Sequence, residues 1–133
     1  MACSFDFDWK NRIIRCRLHG HVTDEDLKEL YRTGYKLVFR TQPLASIVDG
    51  SAATSVGVSA EAIRELAEAA PVLSDPRRRR IILAPSADFY KMAQMFETHG
   101  ESKRPNLRVV RTEREAWAIL GVQNPRFEPL PPE

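Results

Sequence analysis

The sequence predicts a single α/β domain: a mixed, mostly parallel five-stranded sheet with four helices, in the order β-β-α-β-α-β-α-β-α. Three observations carry this. Two opening segments, "FDFDW" and "IRCRLH", alternate apolar and polar residues with period two. Four later segments place apolar residues at helical spacing. Between those helices lie short apolar runs, "LASIVDG", "RIILAP" and "LRVV", without wet–dry alternation, as in interior strands of a parallel sheet. Strands separated by helices imply right-handed parallel crossovers.

The opening pair reads as a hairpin. Phe5, Phe7 and Trp9 alternate with Asp6 and Asp8; Ile14, Cys16 and Leu18 alternate with Arg15, Arg17 and His19. A tight turn at Lys10 and Asn11, with Asn11 taking positive φ, sets Phe7 against Ile14 and Asp6 against Arg15. The first helix starts at the N-cap Thr23, followed by Asp24, Glu25 and Asp26 at the positive end of its dipole. Its dry side is Leu27, Leu30, Tyr31, Gly34 and Val38. "LASIVDG" is the next strand, then a small-residue loop, and Ser59 caps a second helix that Pro71 stops. "RIILAP" is followed by a helix capped by Ser86 and ended by Gly100. After "LRVV", Thr112 and Glu115 form a capping box for a last helix ended by Gly121. The domain thus covers residues 1–121, and the proline-rich residues 122–133 read as a flexible or extended tail.

Composition narrows the function. The 133 residues carry a net charge of +2, too little to argue for nucleic acid. No apolar run approaches the roughly 20 residues that span a bilayer, and no secretory signal is expected at the N-terminus. Cys3 and Cys16 make neither a metal nor a disulfide framework, so a reduced, cytoplasmic protein is expected. Cys16 faces inward and Cys3 is expected to be exposed. The three histidines have no ligand-spaced neighbours, and neither a nucleophile elbow nor a glycine-rich phosphate loop occurs. No enzyme, metal or cofactor is therefore expected.

Three stretches are candidate sites. The first, "IVDGSAATSVGVSAEAI", places Asp49 at a strand end, then Gly50, Ser51, Thr54, Ser55 and Ser59 in a loop leading to a helix start. Backbone N–H groups near Ser59 suit an anion or an added phosphate; the plain reading is an N-cap and a connection. The second is the basic run Arg77, Arg78, Arg79 and Arg80, a patch or merely a solvated loop. The third is the helix side Phe89, Tyr90, Met92 and Phe96, a wall for a ligand or ordinary core.

The order of elements and several motifs resemble the STAS superfamily of bacterial anti-sigma-factor antagonists, in particular the small SpoIIAA-like (STAS/CRAL-TRIO-like) proteins. The matching pieces are "RCRLHGHVTDEDLKELY", "SIVDGSAATSVGVSAEAI", "RRIILAPSADFYKMAQMFE" and "VVRTEREAWAILG". In those antagonists a Ser in an Asp-Ser-Ser-Gly-like motif at the second helix is phosphorylated by a partner kinase, which switches partner binding. Here the motif reads "GVSA": Gly57 replaces the Asp, Val58 takes the acceptor position, and Ser59 is the nearest hydroxyl. The resemblance implies a non-enzymatic regulatory domain whose partner, a kinase or anti-sigma-like factor, meets residues 49–59. The related CRAL-TRIO fold implies an alternative, a lipid or acyl carrier using the Phe89–Phe96 wall. Strands apolar on both faces leave room for a homodimer.

Overall fold

The computed structural model describes residues 3–131. Two antiparallel strands open it, β1 (Cys3–Asp8) and β2 (Ile13–Thr23), followed by α1 (Asp24–Thr41), β3 (Ala45–Gly57), α2 (Ala60–Glu68), β4 (Arg79–Leu83), α3 (Ala87–His99), β5 (Leu107–Val110), α4 (Glu113–Leu120) and β6 (Glu128–Leu130). The sheet runs β5-β4-β3-β2-β1-β6. Its centre is parallel and its β1 edge antiparallel.

The hairpin has the expected register, Phe7 opposite Ile14 and Asp6 opposite Arg15. Arg15 donates two bonds to the Asp6 carboxylate, at 2.9 and 2.6 Å. The turn differs in detail: Arg12, not Asn11, has positive φ (56°). Asp8 organises the turn by accepting from the N–H groups of Lys10 and Asn11. The helix ends follow the sequence closely. Thr23, Ser59, Ser86 and Thr112 each accept a backbone N–H from the first turn of their helix.

Two features correct the sequence reading. The sheet has six strands, not five. The sixth comes from the proline-rich tail, where Leu130 pairs with Phe5 and Pro129 with Asp6. Proline is tolerated there because an edge strand has one side free of ladder bonds. Phe127 anchors the approach: it stacks on Trp117 at 6.0 Å, and the Arg15 guanidinium lies 3.9 Å from its ring centre. The second correction concerns residues 51–57, expected to be a loop. They continue β3, which is 13 residues long.

Each face of the sheet is covered. On one side α1, α2 and α3 bury Leu30, Ile63, Phe89 and Met92 against Cys16, Leu18 and Ile82. On the other, α4 and the segment after it cover Ile13, Ile47, Ile81 and Val110 with Ala116, Trp117 and Phe127. Cys3, expected to be exposed, is buried instead, its Sγ 3.0 Å from that of Cys16. Burial, and the neighbouring Cys3, push the Cys16 thiol well above its ordinary pKa.

Candidate functional site

Pairing to β4 stops at Asp49 opposite Leu83, whereas pairing to β2 runs on to Gly57 opposite Thr23. The outer half of β3 therefore projects beyond the sheet centre, paired on one edge only. Register shifts mark this half. From Ile13 opposite Ala45 to Thr23 opposite Gly57, 13 residues of β3 face 11 of β2. Two bulges absorb the excess, near Gly50–Ser51 and at Thr54. Bulges twist a strand and re-aim its side chains.

The projection begins at a tight contact. A Cβ on Gly50 would lie 2.5 Å from the Phe89 ring, so only glycine lets α3 pack across β3 there. Asp49, 3 % exposed, accepts from the Ser51 N–H at 2.9 Å and faces Arg17 at 3.7 Å. Beyond it Ser51, Thr54 and Ser55 are exposed. His21 Nδ1 and Ser55 Oγ share a hydrogen bond of 2.6 Å, and the His21 ring packs against Gly57.

Ser59 closes the site. Its hydroxyl accepts from the Ala62 N–H, capping α2, and donates to Asp24 Oδ2 at 2.9 Å. Its own N–H donates to Asp24 Oδ1 at 2.7 Å. The starts of α1 and α2 are thus tied through one carboxylate. These bonds, the backbone one foremost, hold the Asp24 carboxyl below its ordinary pKa. The sequence shows Asp24 only as dipole-complementing charge. Asp24, His21 and Arg17 reach this site through pairings 34 or more residues apart, or across strands, so local pattern does not reveal them.

The other candidates fall elsewhere. The basic run is dispersed: Arg77 and Arg78 pair with Asp75, Arg79 donates to the Ile119 carbonyl, and Arg80 is buried. The Arg77 side chain, above all, lowers the Asp75 carboxyl to about 2. Phe89, Met92 and Phe96 line a partly open cavity, while Tyr90 turns away to the Arg111 guanidinium. Among the described residues no cluster of three His, Cys, Asp or Glu is placed to hold a metal, and no helix is long and apolar enough to cross a membrane.

The strand order, with three helices on one face and one on the other, is that of a STAS-like α/β fold. Comparison with solved structures bears this out. The structure of the anti-sigma factor antagonist SpoIIAA in its unphosphorylated form matches with a TM-score of 0.61 at 16% identity, over 92% of this chain and 100% of that one. The Bacillus cell fate determinant SpoIIAA in its phosphorylated form matches with a TM-score of 0.55 at 18% identity, over 88% and 97%. At these identities the likeness is one of fold. No family model matches the chain, and no curated protein matches it.

Proposed function

We propose that this protein is a non-enzymatic regulatory module that binds another protein through the outer half of β3 and the start of α2. The observation that carries this reading is the projection of β3. It offers an edge with unpaired backbone groups and small, exposed side chains at Ser51, Ala52, Thr54 and Ser55. Such an edge accepts an extended segment of a partner by main-chain hydrogen bonding. The bulges restrict that pairing to a short stretch, which limits unwanted self-association.

The same site accommodates a modification switch. Ser51 and Ser59 are the hydroxyls at its two ends, and the fold is shared with a protein solved in phosphorylated and unphosphorylated forms. A phosphate on Ser59 would stand against the Asp24 carboxylate, within hydrogen-bond reach of its present oxygen. Like-charge repulsion would then release the start of α2 from the start of α1. Asp49 shapes the strand end by fixing the Ser51 amide.

A photo-crosslinking residue placed at Thr54, in the protein's own host, tests the surface. The same residue at Lys91, exposed on α3, serves as control. The expected result is a discrete protein adduct from Thr54 only, lost in the Ser51→Ala/Ser59→Ala background. Equal adducts at the two positions, or none at Thr54, overturn the reading. The mass of the adduct separates a foreign partner from a second copy of this chain.

A further inference from the structure

The space between α1, α2, α3 and the sheet contains a cavity of about 130 Å³. Its walls are almost wholly apolar, with Leu30, Ile63, Ile82, Phe89, Met92 and Phe96 among them. The cavity is partly open to solvent, and an engineered apolar cavity of about 150 Å³ takes up benzene.

Two groups in this lining do not belong to an apolar core. Arg80 and Arg104 both line the cavity, and they are 5 % and 4 % exposed. Among the described residues neither makes an ion pair. Arg80 donates to the carbonyls of Leu73, Asp75 and Arg78, and its buried Nε has no partner. Arg104 donates to the carbonyls of Ala67, Leu66 and Ala69 and to the Tyr31 hydroxyl. Tyr31 also lines the cavity, and as the acceptor of that bond it keeps its own proton free to donate. Burial, and next the positive charge of Arg104, draw the Arg80 pKa below its ordinary value.

The Arg80 contacts peg the segment between α2 and β4, those of Arg104 hold the last turn of α2, and the Arg104 guanidinium lies 4.8 Å from the Phe96 ring centre, but among the described residues no carboxylate neutralises either cation. Buried charge is ordinarily paired, and an unpaired one is strongly destabilising. An anion on an apolar body would satisfy both features of this cavity. We infer that the cavity is a binding site for a small apolar carboxylate, a short acyl acid of about four to five carbons. Its tail lies among Ile63, Phe89 and Met92. Its carboxylate accepts from Arg80 Nε and the Tyr31 hydroxyl, and balances Arg80 and Arg104. A diacyl lipid is too large for this volume. The inference is independent of the partner surface on β3.

Calorimetric titration of the purified chain with butanoate, 1-butanol and butylammonium tests it. The three share a tail and differ in head. Butanoate is expected to bind at least tenfold more tightly than 1-butanol, and butylammonium not to bind. Arg80→Met is expected to abolish the advantage of butanoate while leaving 1-butanol binding in place. Ala93→Leu, which adds bulk to the lining, is expected to weaken both. Equal affinity for butanoate and 1-butanol overturns the anionic head site, and absence of binding by either overturns the cavity. Both comparisons use the unaltered chain, so they stand even if a variant fails to fold.

Discussion

The two halves of β3 share one continuous backbone and differ in nearly everything else. The inner half, from Ala45 to Asp49, pairs with β2 and β4 and buries Ala45, Ile47 and Asp49. The outer half pairs with β2 alone, carries two bulges and exposes small polar side chains. Gly50 stands at the junction under the Phe89 ring. The contrast teaches how a stable sheet presents a surface. One end of a strand is fixed by packing on both faces, and the other end is held out by a single ladder.

Substitutions along this strand should therefore give steeply graded effects. The largest belongs to the inner half. Ile47→Ala removes a side chain that is 2 % exposed and should cost about 3 kcal/mol in urea unfolding. A cost no greater than that of Thr54→Ala, about 0.5 kcal/mol or less, would break the comparison.

The junction comes next. Gly50→Val pushes methyl groups into the Phe89 ring and should cost about 2 kcal/mol. Adding Phe89→Leu to Gly50→Val should recover part of that loss. Strict additivity in the double-mutant cycle would show that the ring is not what demands glycine.

The tie at the far end is weaker. Ser59→Ala removes the α2 cap and should cost about 1 kcal/mol. Its partner Asp24 adds a pH dependence. The folded pKa of Asp24 lies below its unfolded value, so its contribution is present above the unfolded value, near 3.9, and is lost as pH falls through the folded one. The stability gap between the unaltered chain and Asp24→Asn should therefore shrink in urea unfolding below about pH 4. A gap that widens on acidification would contradict the Ser59–Asp24 geometry.

The smallest effect is kinetic. Cys16 is buried and its thiol held protonated, so iodoacetamide should label it only as fast as the domain opens. Rapid labelling in the folded state would show that the wall of the core at β1 and β2 is looser than the contacts indicate.

How much of this was legible follows from where each interaction lies in the chain. The caps Thr23, Ser59, Ser86 and Thr112 are local, and all four are read correctly from sequence. The hairpin register is also local, fixed by complementary pairs a few residues from the turn. The inner half of β3 is evident as an apolar run. Its outer half, "SAATSVG", has the composition of a loop, and only its non-local pairing to β2 makes it a strand. β6 escapes notice for the same reason, since prolines mark it as tail and the Phe127 contacts with Trp117 and Arg15 hold it. In the candidate site, Asp49 and Ser59 are visible as element ends, but the Asp24 bond to Ser59 spans 35 residues. Arg80 reads as the last of a basic run in a solvated loop, lying along the entrance to a strand. Its burial depends on the segment that folds over it from Leu73 to Asp75.

The pairing of β6 with β1 also governs how the molecule would respond to mechanical load. Phe5 lies beside Leu130 in an antiparallel ladder, so the first and last strands leave the sheet at neighbouring points. Tension applied between those points pulls across the ladder rather than along it. Its bonds would open in succession, like a zipper, at low force, and β6 would peel away before the buried centre of the sheet felt any strain. Neighbouring exit points also mean that the unit could be spliced into a surface loop of another protein with little distortion of either.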